Sequence, residues 1–449
     1  MAAASTCVRR LPLVVILGCT GTGKSKLAIE IGKKIGGEII SADSMQVYSG
    51  LPIITNQVTK EELQQCPHHV FDFVSPFKEF SVVQFRNLAL PLIDDIKKRG
   101  KIPIIVGGTN YYIESLLWDI LIDAKNEKES ETLSSGEEKE RSSIKRRKVI
   151  ECNGDLEKTG SIPGEEKPSL HTKLAAIDPE MASRLHPNDT RKIARSLQVY
   201  EQHGIPHSRL LVDQRTKGGG TAFGGPLRFD FTCVFWLQCD KEVLNDRLDK
   251  RVDKMIESGL VKELLDFHRA YNKERIDNVG AKYTEGIFQS IGFKEFHQFL
   301  LKQNLNEMEN IDLLINEHKE IFENCVDSMK TITRRYAKKQ TQWVKNRFLS
   351  RSKGAAPDVY GLDSTDLDLW NQNVLERAIL ILDAIINDEI PNVKPLERNI
   401  TDPNEAHTKH VCSVCNDRVI IGDKTWEKHL ASKSHKWHVK KIRKMENSL

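Results

Sequence analysis

The octapeptide GCTGTGKS, Gly18–Ser25, lies between the apolar run LPLVVIL and the helical pattern KLAIEIGKKIGG. A Gly, four residues and Gly-Lys-Ser, after a strand and opening a helix, form a phosphate-binding loop. Such a loop needs the C-terminal end of a strand set against a helix N-terminus, which restricts the fold more than any other stretch does. Gly18, Gly21 and Gly23 permit turns closed to larger residues, so that successive amides converge on one anion. Lys24 adds positive charge, and Ser25 offers a hydroxyl to a magnesium ion. The competing reading is a glycine-rich turn without a ligand.

Apolar, β-rich runs recur at Leu13–Leu17, around Glu38–Ser41, at Ile102–Val106 and at Phe231–Leu237. Helical patterns separate them, such as SVVQFRNLALPLIDDIKKRG, with Ser81 as the expected N-cap and Gly100 as the stop. This alternation predicts an α/β fold, a parallel sheet core with helices on both faces and the phosphate loop at its C-terminal edge. The expected core is interrupted, with a first part at 1–118 and a second at 226–355. Between them fall a charged insertion at 119–169 and a helical inserted domain at 170–225. The insertion is polar and poor in aromatics, which predicts disorder. Within the helical domain, HPNDTRKIARSLQVYEQHG reads as a helix capped near Asn188 or Asp189 and stopped at Gly204. A helix and linker at 356–404 lead to a small module at 405–449.

With 449 residues the chain is long enough for two or three domains. Its charged fraction is 29%, and no apolar run approaches the roughly 20 residues of a membrane helix, so no membrane partner is expected. A net charge of +4 matters only where it is concentrated. Nine cysteines, odd in number and mostly scattered, predict a reducing compartment and not a disulfide framework. The lead MAAASTCVRRLPLVV has no acid before Glu30, as mitochondrial presequences do, although it is very short. KRRK at Lys145–Lys148 reads as a solvated charge run or a nuclear import signal. Mitochondrial and cytoplasmic placement is expected, with the nucleus as a third compartment.

A nucleotide kinase is the default for such a loop, and in it another strand ends in a magnesium-binding aspartate. Here IPIIVGGTN ends in Gly107, Gly108 and Thr109, and the aspartate instead follows the second strand, as Asp43 in EIISADSMQVY. Strand ends in such a sheet converge on one crevice, so Asp43 and Thr109 can both face the phosphate loop. A polar residue after a strand can also simply cap the next helix.

Seven segments, GCTGTGKSKLA, ISADSMQVYSGLPIITNQ, PIIVGGTNYYIESLLW, LHPNDTRKIARSLQVYEQHG, RVDKMIESGL, QSIGFKE and TRRYAKKQTQW, resemble the tRNA dimethylallyltransferases, also called tRNA isopentenyltransferases, in sequence and order. The C-terminal module resembles that of eukaryotic members. The resemblance implies transfer of a dimethylallyl group from its pyrophosphate to the exocyclic amine of adenosine 37, beside the tRNA anticodon. Thr20, Gly21, Thr22, Gly23, Lys24 and Ser25 then bind the prenyl pyrophosphate with Mg2+. Asp43 matches the family's general base, Thr109 a residue near the bridging oxygen, and Arg251 an arginine that reaches the phosphates. From its residues alone, Arg251 reads equally as a helix charge paired with Asp253 or Glu257.

The same resemblance puts Ser44, Met45 and Gln46 beside the extruded adenine. The amide of Gln46 suits an adenine edge, although a surface glutamine needs no such role. Lys330–Lys353 holds nine basic residues and no acid, interleaved with Tyr336, Trp343 and Phe348. Arg335, Lys338, Lys339 and Trp343 are the expected RNA-binding residues there; the alternatives are a solvated or a membrane-binding helix. Arg191 and Arg195 fall in the helix that grips the anticodon arm in the family. The tRNA anticodon arm and dimethylallyl pyrophosphate are thus the expected partners of a monomer.

In the last module Cys412, two residues, Cys415, thirteen residues, His429, five residues and His435 give tetrahedral zinc spacing, a small C2H2 zinc finger. Lys433, Lys436, Lys440 and Lys441 nearby suit RNA backbone, and a protein partner is the alternative. Rival functions for the whole chain are a prenyltransferase acting on free adenine nucleotides, a small-molecule kinase with the same loop, and a non-enzymatic RNA-binding protein.

Overall fold

The computed structural model describes residues 11–120, 169–221, 223–273, 275–276, 280, 282–302, 311–400 and 408–446. The basic lead, KRRK and nearly all of the charged insertion lie outside these residues. The chain forms two compact units, Met1–Ile120 with Pro226–Ile400, and Leu121–Gly225 with Thr401–Leu449.

The first unit holds β1 (Leu13–Gly18), β2 (Gly37–Ser41), β3 (His68–His69), β4 (Ile102–Val106), β5 (Thr232–Gln238) and β6 (Val359–Asp363). They form one parallel sheet in the order β3-β2-β4-β1-β5-β6. Leu13, Val15 and Leu17 enter one apolar layer, and Val14 and Ile16 the other. Both faces of β1 are covered, which is why its sequence shows no polar alternation. β6 falls in the stretch read from sequence as helix and linker. Its five residues carry no clear period, and its place comes from pairing Val359 with Val234 of β5.

Helices α1 (Lys24–Ile35), α2 (Lys60–Gln65), α3 (Val82–Lys98) and α4 (Asn110–Leu117) connect the first strands. The start of α3 is set by a capping box: Gln84 N donates to Ser81 Oγ at 3.3 Å, and Ser81 N donates to Gln84 Oε1 at 2.8 Å. In the second unit, α5 (Leu170–Ile177), α6 (Pro179–Arg184), α7 (Thr190–His203) and α8 (His207–Thr216) close over Leu174, Met181, Ala182 and Ile193. The buried Asp178 carboxylate serves two helix starts, accepting from Met181 N at 2.9 Å and Ser208 N at 2.8 Å. Asp189 occupies the N-cap position of α7, but its carboxylate pairs with Lys192 at 2.7 Å and not with the backbone.

The first unit resumes with α9 (Lys241–Glu257), α10 (Leu260–Phe267), α11 (His297–Leu300), α12 (Ile311–Glu317), α13 (Lys319–Trp343) and α14 (Arg377–Ile386). Cys325, Met329, Thr333, Ala337 and Gln340 form the buried stripe of α13. The basic stretch is not uniformly free for a ligand. Lys330 pairs with Asp253 at 2.6 Å, and Arg334 pairs with Asp249, both on α9. Arg347 and the fully buried Arg351 converge on buried Glu114 at 2.7 and 2.8 Å. These four cations build the fold, whereas Arg335, Lys338 and Lys339 are exposed.

The second unit ends in the hairpin β7 (Lys409–Cys412) and β8 (Arg418–Ile421), then α15 (Asp423–Ala431) and α16 (Lys433–Glu446). His186 joins this module to the helices. Its Nδ1 accepts from Asn188 N at 3.1 Å, which leaves Nε2–H to donate to the Val419 carbonyl at 3.1 Å.

Candidate active site

The C-terminal ends of β1, β4 and β2 are neighbours in the sheet and open into a cleft of about 260 Å³. Thr20, Gly21, Gly23, Lys24 and Ser25 of the phosphate loop line it together with Asp43, Gln46, Gly108 and Arg251. Gly23 starts α1 with φ 89°, and a Cβ there would lie 2.7 Å from the indole of Trp370. That conformation points the first helical amides into the cleft.

Lys24 Nζ donates to the Cys19 carbonyl at 2.8 Å. Burial lowers its pKa to about 8; Cys19 and Asp43 act against the shift, and Arg251 adds to it. Burial also lowers Arg251, which Asp43 partly offsets. Lys24, Lys26 and Arg251 line the cleft with a single carboxylate, Asp43, which makes the site net positive. Asp253, one of the two acids offered as a partner for Arg251, pairs instead with Lys330, and Arg251 lines the cleft.

Because the folded pKa of Lys24 lies below its unfolded value, keeping it charged costs stability below pH 8, and that cost is relieved as pH rises from about 8 towards 10.5. Lys24→Met is expected to raise the urea midpoint of the ligand-free protein at pH 7 and to weaken diphosphate binding. A midpoint unchanged or lowered at pH 7 would count against a strained lysine. In the unsubstituted protein, diphosphate affinity is expected to fall as pH rises through about 8, a step that the Met variant should lack.

Asp43 Oδ1 accepts from Met45 N at 3.0 Å. Thr109 does not use its hydroxyl to cap α4. Instead Thr109 Oγ1 accepts from Ser44 N at 2.9 Å and donates to Ser44 Oγ at 3.0 Å, which ties the loop after β4 to the loop after β2. No acid can stand at the end of β4, since a Cβ on Gly107 would meet the Ala42 carbonyl oxygen at 2.1 Å. Asp43 is thus the carboxylate that lines the cleft at these strand ends, beside Lys24 and Arg251.

Several of the expected ligand-binding groups are engaged within the protein. Thr22 is buried, and both its hydroxyl, at 2.8 Å, and its amide, at 3.4 Å, donate to the Cys19 carbonyl. The Gln46 carbonyl accepts from Ser41 Oγ at 2.9 Å and its NH2 donates to the Asn56 carbonyl at 2.8 Å. One N–H and one lone pair remain for a ligand. Met45 packs against the core, and Trp343 is half-buried, edge-on to Tyr111 at 5.9 Å. Arg191 and Arg195 are exposed on α7, with Arg195 donating to Gln198 at 2.9 Å.

Sequence reasoning missed Gln340, and read Tyr336 only as an aromatic interleaved in the basic stretch. One turn apart on α13, they reach from the basic stretch into the cleft wall. Gln340 Oε1 accepts from Thr20 N at 2.9 Å, and its Nε2 donates to the Gly108 carbonyl at 2.8 Å. Burial, then Asp43, pushes the Tyr336 hydroxyl well above its ordinary range. Their i, i+4 spacing, offset from Arg335 and Lys339, is the signal that was available.

Among the described residues the second unit holds a separate cluster. The ligand atoms of Cys412, Cys415, His429 and His435 all lie within 4.8 Å of one another. Both sulfurs stand 3.5 Å from His435 Nδ1, close to the edge of a tetrahedron built on zinc–sulfur and zinc–nitrogen bonds of about 2.3 and 2.0 Å. His429 Nε2 is buried without a partner. The donor set therefore fits zinc.

The IPP transferase family model matches residues 46–347, and the isopentenyl transferase model matches residues 11–71. The chain is 47% identical to a protein named tRNA dimethylallyltransferase from Homo sapiens, over 98% of this chain and 88% of that one. It is 34% identical to one of the same name from Saccharomyces cerevisiae, over 96% and 92%. A solved eukaryotic dimethylallyltransferase acting on tRNA superposes with a TM-score of 0.70 at 30% identity, covering 98% of both chains. A phosphate loop whose neighbouring strand ends in glycine, with its carboxylate displaced to Asp43, thus sits within matches that run nearly end to end, and the chain belongs to the tRNA dimethylallyltransferase family.

Proposed function

We propose that this protein transfers the dimethylallyl group of dimethylallyl pyrophosphate to the exocyclic amine of adenosine 37 in the anticodon arm of tRNA, acting as a monomer. The observation that carries this reading is the pairing of Asp43 with Lys24 and Arg251 in one cleft beside the phosphate loop. In the reaction the bond from the allylic carbon to the bridging oxygen breaks as the carbon–nitrogen bond forms. The amine proton passes to Asp43, and diphosphate leaves. Loop amides, Lys24 and Arg251 meet the growing charge on the leaving group, while the Thr109 hydroxyl stands near its bridging oxygen. The adenine amine becomes acidic only as the new bond forms, so an ordinary carboxylate suffices.

Mg2+ is part of the proposal. Ser25, exposed in the first turn of α1, together with diphosphate oxygens offers the hard donors that ion prefers. When bound, it neutralises charge on the diphosphate. Structural Zn2+ at Cys412, Cys415, His429 and His435 is proposed on the fit of those donors. Mitochondrial and cytoplasmic placement is proposed on the Arg9–Arg10 lead and on scattered cysteines that suit a reducing compartment.

Mass spectrometry of nucleosides from tRNA incubated with the protein and dimethylallyl pyrophosphate tests the reading, with free adenine nucleotides and ATP in parallel. Isopentenyladenosine from tRNA is expected. Prenylation only of free nucleotides, or ATP-dependent phosphorylation of a small molecule, would replace it by a rival.

For RNA binding, the exposed cations of α13 carry the proposal. Arg335→Glu with Lys339→Glu is expected to weaken tRNA affinity. It should also make the slope of log K against log salt shallower, by roughly 0.7 to 0.9 for each phosphate that is no longer neutralised. An unchanged slope would remove this helix face from the RNA interface.

A further inference from the structure

We infer that Gln340 is a positioning residue for the transfer step, locking the loop that holds the leaving diphosphate to the loops that present the acceptor machinery. The inference rests on the transferase reading above. Three of its polar groups span separate elements: Oε1 takes the Thr20 amide of the phosphate loop, Nε2 the Gly108 carbonyl after β4, and its own carbonyl accepts from Asn110 Nδ2 of α4 at 3.1 Å. The side chain is buried, only 4% exposed, so each bond is made out of competition with water.

The space around it is closed. A Cβ on Gly108 would lie 2.7 Å from Gln340 Nε2 and 3.2 Å from Asp43 Oδ2, so amide and carboxylate are no more than about 6 Å apart. Ala337, one turn earlier, packs with Cys19 and Leu248 against the base of the phosphate loop. Tyr336 directs its hydroxyl toward the same Gly108 carbonyl, at 3.5 Å. The charged and titratable groups that face Asp43 are Lys24, Arg251, Tyr112 and Tyr336. Gln340 brings no charge of its own, and it can satisfy a donor and an acceptor at once, which no carboxylate or hydrocarbon of its size can do.

Without this bridge the Thr20 amide and the Gly108 carbonyl lose their shared partner, and the two reacting ends of the cleft are free to shift against each other. A misplacement of about 1 Å costs on the order of 100-fold in rate. Substrate affinity, set by many other interactions, changes little.

The test uses the full-length, zinc-loaded protein in single-turnover transfer to tRNA, with the unsubstituted protein alongside. Gln340→Met keeps the volume and removes the polar bridge; it should lower the transfer rate by about 10- to 100-fold. The Kd for tRNA should stay within about threefold. Gln340→Glu keeps the acceptor for Thr20 N but loses the donor to the Gly108 carbonyl, so its transfer rate should fall by a similar factor. A merely structural role would lower stability and tRNA affinity together, without this split between rate and affinity. Transfer within about twofold of normal in the folded Met variant, or a loss of tRNA affinity equal to the loss of rate, would overturn the inference. If the unsubstituted protein leaves adenosine unmodified, the transferase reading fails and this inference falls with it.

Discussion

Asp43→Ala is expected to slow single-turnover prenyl transfer by about 10²- to 10⁴-fold while tRNA affinity stays nearly the same. The size follows from the role of a general base, whose contribution exists only as the amine proton becomes acidic in the transition state. Asp43→Asn is the sharper variant, since it keeps the shape and can still accept from Met45 N, the 3.0 Å bond that orients the side chain. Equal losses in both variants would locate the effect in proton acceptance. A fall of less than about threefold in either would remove Asp43 from that role and leave the cleft a cationic diphosphate site without a base.

Removal of zinc should have the largest effect on folding. The C-terminal module has a two-stranded hairpin and two helices, and among its described residues the buried hydrophobic ones are few: Cys412 and Ile420. So small a core cannot hold itself together, and metal binding in comparable fingers supplies about 10–16 kcal/mol. Chelation, or Cys412→Ser, should therefore unfold residues 408–446 and not merely loosen them. Trp426 reports the event directly: it stacks on His410 at 5.0 Å and on His429 at 5.7 Å, next to the metal donors. Its emission should shift to the red on chelation, by difference against Trp426→Phe. One zinc per chain by atomic absorption is expected. A finger whose hairpin signals survive metal removal would show that the four donors are not a structural site.

The two halves of this molecule were unequally legible. The phosphate loop, the helix cap at Ser81, and the spacing of Cys412, Cys415, His429 and His435 are local patterns, in which backbone geometry demands particular residues at fixed intervals. β1 and β4 were legible for a related reason, since strands buried on both faces need unbroken apolar runs. β6 was not, because five residues on the sheet edge owe their conformation to β5 and not to their own pattern. The basic stretch was half legible. Its charge is evident, but four of its cations belong to Asp249, Asp253 and Glu114, far away along the chain.

By itself, then, the chain of residues determined that a phosphate loop, an α/β sheet and a metal-spaced finger would form, since each depends on neighbours a few positions apart. Only the tertiary structure decided which polar groups are spoken for. It turned Thr22 inward, engaged both ends of the Gln46 amide, sent Arg347 and Arg351 to Glu114, and brought Gln340 between Thr20 and Gly108. The physical reason is that a buried hydrogen-bonding group must find a partner wherever the fold supplies one, and that partner is set by packing and not by sequence distance.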